Sequence, residues 1–152
     1  MNEFPPFEIV DGRYDNGLIL LADHATNNLP PRYDRLGLPD SAFERHIAFD
    51  IGIEALTRAL AARLDVPAVM SRYSRLLIDP NRGEDDPTII MRISDGAIIP
   101  GNHPIATEEW QHRIETFHRP YHRAVEDTIE RVATASGKAP LVLSLHSYTP
   151  AW

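Results

Sequence analysis

The sequence predicts an α/β fold of three layers, a mixed and mostly parallel sheet with helices on both faces. Short apolar runs alternate along the chain with helical stripes, the pattern of strands joined by crossover helices. Two of the runs, Leu18–Ala22 and the Leu-Val-Leu of Pro140–Ser144, are short and apolar, as strands covered on both faces are. Both lead into a histidine, His24 and His146. Ligands of open α/β sheets bind beyond the carboxyl ends of strands, so these histidines are candidates for one crevice.

Phe7–Val10 and Leu18–Ala22 are predicted as strands separated by the turn-rich stretch from Asp11-Gly12 to Asn16-Gly17. From Asn27 to Pro39 the chain holds too many breakers for regular structure, and Asp40 or Ser41 can cap a short helix. Ile47, Ile51, Ala55, Leu56, Ala59, Leu60 and Leu64 recur at about 3.6 residues, which predicts a helix through Arg63 with Asp50 beside its apolar face. Val66–Ser71 and Leu76–Asp79 are predicted as strands. The Gly-, Pro- and Asp-rich stretch from Gly83 to Pro104 is irregular, either a substrate lid or an ordinary surface segment. A long helix follows from Thr107 to Ser136-Gly137, kinked at Pro120, where a backbone donor is lost.

At 152 residues, 43% hydrophobic and 24% charged, the chain suits one folded domain with a real core. A formal charge of −7, with 22 acids against 15 Lys and Arg, argues against nucleic-acid binding. No run approaches the ~20 apolar residues of a membrane span, and no secretion signal opens the sequence, so the expected setting is cytoplasmic. There is no cysteine; any metal must rely on His, Asp, Glu or Asn.

The chemistry concentrates in Ser74-Arg75-Leu76-Leu77-Ile78-Asp79-Pro80-Asn81-Arg82. Arg75 and Arg82 carry planar forks suited to a carboxylate, Asn81 adds a neutral donor, and Asp79 can hold an arginine in place. The competing reading is a strand, a Pro-Asn turn and a solvated ion pair. His118 and His122, four apart on the long helix, have a spacing that can bind zinc, although such pairs are more often surface or core residues. His46, His103 and His112 read as structural or solvent-facing.

These stretches together resemble the N-formylglutamate amidohydrolase family. The resemblance runs through Asp23-His24-Ala25-Thr26-Asn27, His46-Ile-Ala-Phe-Asp50-Ile-Gly52, Arg72-Tyr73-Ser74-Arg75 to Asn81-Arg82, Ser94-Asp95-Gly96, Arg119-Pro120-Tyr121-His122 and His146-Ser147-Tyr148-Thr149-Pro150. That family in turn is similar to the zinc carboxypeptidases, so a zinc-exopeptidase-like sheet is implied. The resemblance implies zinc held by His24 and His146, with substrate carboxylate bound at Asn81 and Arg82. It implies hydrolysis of the amide of N-formyl-L-glutamate or a related N-acyl amino acid, a small molecule with a free carboxylate. Asn27, placed among the substrate-binding residues, stands where the carboxypeptidases carry a glutamate ligand. Asp50 is therefore the preferred third ligand, and Asp23 the runner-up. Arg75 and His122 complete the expected substrate contacts.

The resemblance leaves the catalytic base unassigned, because the related enzymes take a glutamate from beyond the His-Ser-Tyr stretch. The single domain is accordingly expected to be C-terminally incomplete, with an exposed sheet edge that predicts homodimerisation. Two functions remain open: a zinc amidohydrolase, or a carboxylate- and metal-binding module that lacks its base. An acid such as Glu84, Glu108 or Glu115 near the metal would favour the first.

Overall fold

A computed structural model describes residues 4–149 of the chain. Its main sheet has the order β1-β3-β2-β6, formed by Phe7–Val10 (β1), Leu18–Ala22 (β2), Ala68–Ser71 (β3) and Leu141–Ser144 (β6). β2 runs parallel to both β3 and β6, in registers that set Leu20 opposite Ala68 and Leu18 opposite Leu141. β1 closes one edge antiparallel to β3. The predicted mixed, mostly parallel sheet is thus observed.

Helices cover both faces because strand residues alternate sides. Leu20 and Ala68 pack with Ala61 of α1 (Ile53–Leu64), whereas Ile19 and Val69 pack with Tyr121, Ala124 and Val132 of α3 (Arg119–Ser136). Ile19, Leu20 and Val69, removed wholly from water, each contribute roughly 1.5–3 kcal/mol. β2 therefore has no polar face, which is why its sequence reads as an unbroken apolar run.

Three expectations need correction. The helix predicted from Ile47 begins only at Ile53, since Gly52 takes a left-handed conformation (φ +83°) and the chain before it turns instead of coiling. Leu76–Asp79 is not a strand. Its residues are buried, but Ser74 accepts at its carbonyl from Leu77 N (3.0 Å) and at Oγ from Leu76 N (3.2 Å), folding the run into turns. The segment after Pro39 is a 3₁₀ helix, Asp40–Glu44, with no side-chain cap.

The irregular segments build a second core. Tyr33, Phe43, Tyr73, Leu76–Ile78, Ile89 and Ile99 pack against Ile114 and Phe117. The stretch from Gly83 to Pro104 is thus anchored internally, and it contains a two-residue-per-strand hairpin, β4 (Ile93–Ser94) and β5 (Ala97–Ile98), turned by Asp95-Gly96. The long helix appears as α2 (Thr107–Arg113), a π-helical turn at Ile114–His118 and then α3, so a widened turn precedes Pro120. Pro150 and Trp152 lie outside the described residues. Among those described, no helix is long and apolar enough to cross a membrane.

Candidate metal centre

The carboxyl ends of β2 and β6 lie side by side, and the two histidines beyond them face one carboxylate. Asp50 enters from the turn before α1, tied down by its N–H to the His24 carbonyl (2.9 Å). His146 Nδ1 lies 2.9 Å from Asp50 Oδ2, and His24 Nδ1 lies 3.5 Å from Asp50 Oδ1. The donor atoms of His24, Asp50 and His146 fall within 4.8 Å of one another.

The far nitrogen of each ring is turned to another carboxylate. His24 Nε2 is 2.7 Å from Asp79 Oδ1, and His146 Nε2 is 3.6 Å from Asp23 Oδ2 and 3.1 Å from Ser144 Oγ. A carboxylate only accepts, so in neutral His24 the hydrogen sits on Nε2 and the lone pair on Nδ1. That Nδ1 is buried and has no hydrogen-bond partner. An orphaned imidazole nitrogen beside a second imidazole and a carboxylate is a donor set that fits zinc, and the carboxylate behind each ring is the usual support for a ligating histidine.

Asp79 is the hub of the site. Its Oδ1 also accepts from Asn81 N (2.9 Å), and its Oδ2 accepts from Arg75 Nη2 (3.1 Å) and Arg82 Nε (3.4 Å). Burial works to raise its pKa, but His24, Arg75 and the Asn81 N–H together bring it down to about 2. Burial likewise opposes ionisation of Asp50, yet the imidazole of His24 beside it and its bond with His146 leave that carboxyl below its ordinary value. For His24 burial pushes the pKa down, and the nearby carboxylates of Asp50 and Asp79, the second of them hydrogen-bonded to Nε2, outweigh it and raise it. The site is thus a dense, mutually compensated charge network.

A cavity of about 330 Å³ opens over this centre, lined by the three residues together with His46, Arg75, Asn81 and Ser147–Thr149. Arg75 Nη1 stands 3.9 Å from Asp50 Oδ1, and its Nε is buried without a partner. A second cavity of about 350 Å³ holds Arg82, His118, His122 and Asp23, and Asn81 lines both. Arg82 is also engaged with Asp86 (3.1 Å) and Thr88 (2.6 Å).

Residues 16–152 match the description of the N-formylglutamate amidohydrolase family. The chain belongs to this family. Among solved structures it is similar to a gene product of Agrobacterium tumefaciens, at 29% identity and a TM-score of 0.91 over 99% of this chain and 59% of the other. It shares its fold with an N-formylglutamate amidohydrolase from Ralstonia eutropha, at 23% identity and a TM-score of 0.67 over 94% of this chain and 57% of that one. The chain therefore spans less than three fifths of the length of these two relatives. No curated protein matches it.

Not every residue named from the sequence comes to the centre of this family member. Asn27 is turned away, its side-chain amide donating to the Phe43 carbonyl (2.6 Å) and holding the 3₁₀ helix that carries Phe43. His122 lines the second cavity, with Nε2 bonded to the Pro80 carbonyl (2.9 Å). Asp23, the runner-up ligand, sits behind His146, where it accepts the Tyr121 hydroxyl. Glu84 pairs with Arg119 (2.8 Å) and Glu115 accepts from Gln111 (2.7 Å), so both are committed elsewhere. Neither they nor Glu108 line the metal-centre cavity. His46, read from the sequence as structural or solvent-facing, does line it, half-exposed and 3.9 Å from Asp95. Its position four residues before Asp50 was the available signal.

Proposed function

We propose that the chain binds one zinc ion through His24, Asp50 and His146 and hydrolyses the amide of N-formyl-L-glutamate or a related N-acyl amino acid with a free carboxylate. The observation that carries this reading is the unpartnered, buried His24 Nδ1, held in the ligating tautomer by Asp79 and facing Asp50 and His146. When bound, such an ion supplies Lewis-acid polarisation of the acyl carbonyl and acidifies water. Arg75 and Asn81 bind the substrate carboxylate from the wall of the same cavity, with Arg82 and His122 behind them, and so fix the acyl group in place.

In the reaction a water oxygen adds to the acyl carbon, the C–N bond breaks, the formic acid formed gives up one water proton to the released amine, and the other water proton is delivered to the nitrogen as it departs, giving formate and the amino acid. His46 is the group we assign to carry that proton. It lines the cavity, it is accessible, and an imidazole can both accept and donate a proton. A cytoplasmic setting and a small-molecule substrate belong to the same reading; the absence of cysteine and the net charge of −7 support them.

A second reading, a carboxylate- and metal-binding module with impaired turnover, is favoured by the lack of a glutamate among the described residues lining the cavity. Formate release from N-formyl-L-glutamate separates the two. The first reading expects release by the zinc-loaded chain, abolished by chelation and reduced about 10²-fold or more in His46→Gln with zinc retained. Ligand binding without release selects the second, and neither binding nor release contradicts both.

A further inference from the structure

Asn81 lies in a loop that belongs to no helix or strand, yet a carboxylate-binding amide must be held to a fixed orientation. Two imidazoles from the long helix grip this loop from outside the metal-centre cavity. His118 Nε2 is 2.8 Å from the Arg82 carbonyl and His122 Nε2 is 2.9 Å from the Pro80 carbonyl. A carbonyl only accepts, so both rings donate, and the two carbonyls flank Asn81 on either side. On its inner side the same loop is fixed by Asn81 N to Asp79 Oδ1 (2.9 Å). The rings also brace each other, with centroids 4.4 Å apart.

The helix is shaped for this grip. The π-turn at Ile114–His118 ends at His118, and the α-helical spacing that follows sets His118, Tyr121 and His122 along one side. Tyr121, between the two histidines, donates to Asp23 beside His146. One helical turn thereby reaches the loop of Asn81 twice and the support of a metal ligand once.

We infer that His118 and His122 are positioning residues that clamp the Pro80–Arg82 loop and hold the Asn81 carboxamide for the substrate carboxylate. The clamp rests on the carboxylate role proposed above for Asn81.

The test is a leucine pair, His118→Leu with His122→Leu, compared with a glutamine pair whose side-chain amides keep a donor near the Nε2 position. Three quantities are read on the zinc-loaded chain: hydrogen exchange of the 81–83 amides, zinc stoichiometry, and calorimetric affinity for N-formyl-L-glutamate. The clamp predicts about tenfold faster exchange in the leucine pair, with sheet protection and zinc unchanged. It also predicts about tenfold weaker ligand binding, with both effects reversed in the glutamine pair. Unchanged exchange in the leucine pair overturns it, as does a glutamine pair no better than leucine, which would mean that the rings act by packing. If the leucine chain does not fold, an asparagine pair, polar but too short to reach the carbonyls, decides by the same criteria. Absence of ligand binding by the wild-type chain contradicts the carboxylate role of Asn81, and the exchange data still decide the clamp.

Discussion

His24 Nε2 and Asp79 Oδ1 lie 2.7 Å apart in the interior, and this contact decides which His24 nitrogen can bind a metal. The same carboxylate accepts from Arg75, Arg82 and the Asn81 N–H, so the proposed metal ligands and the proposed carboxylate-binding residues share one anchor.

Replacing that anchor should therefore disturb both sides. Asp79→Asn keeps the size but gives up the charge that pairs with two arginines and holds the His24 hydrogen on Nε2. Zinc affinity is expected to fall about 10- to 100-fold, and loss of one partner of a buried network is expected to cost about 3–5 kcal/mol. Competitive zinc titration and urea unfolding measure the two effects. Wild-type zinc affinity in this variant would contradict the tautomer argument.

His118 gives a pH dependence of definite sign. Burial holds its imidazole below the ordinary histidine value, with the neighbouring His122 acting in the same direction. The unfolded chain takes up this proton near pH 6.5 and the folded chain resists it. The contribution to stability is therefore fully present above about pH 6.5 and is lost as pH falls towards the lowered folded value. His118→Gln, which keeps a donor but does not titrate, should lose less stability than wild type between pH 7.5 and 5.5. Equal losses, read from urea midpoints, would contradict the assignment.

The β6 edge predicts self-association. Leu141, Val142 and Leu143 are 65%, 39% and 41% exposed, and among the described residues β6 pairs only with β2. An apolar strand with a free edge is a template for another strand. Light scattering should show concentration-dependent dimers that Val142→Lys suppresses, whereas a wild-type chain monomeric at high concentration would contradict the proposed pairing.

The strands Phe7–Val10 and Leu18–Ala22 were legible because their composition agrees with their packing, and Leu141–Ser144 was legible from its apolar run although its side chains are exposed. Leu76–Ile78 was misread because a short buried apolar run does not distinguish a strand from buried turns, and Ser74 Oγ tipped the balance through a local bond. Gly52 likewise ended the apparent helical stripe at a left-handed residue. Within the site, the sequence pointed to His24, Asp50 and His146 through a family resemblance, and these residues do converge in space. Asp79 was read as holding an arginine, as it does, but its contact with His24 and the clamp by His118 and His122 were not legible, because they depend on which carbonyl or imidazole a folded loop brings within 3 Å. Asn27 shows the opposite case, a residue named by alignment with a ligand position whose amide is spent on a backbone carbonyl.

The most direct test of the metal centre is zinc stoichiometry by elemental analysis, after zinc loading and desalting, for wild type, His24→Ala and His146→Ala. One equivalent in the wild-type chain, lost in both variants while the fold persists by circular dichroism, is the predicted result. A folded wild-type chain that retains no zinc, or variants that retain it in full, would contradict the assignment of His24, Asp50 and His146 as its ligands.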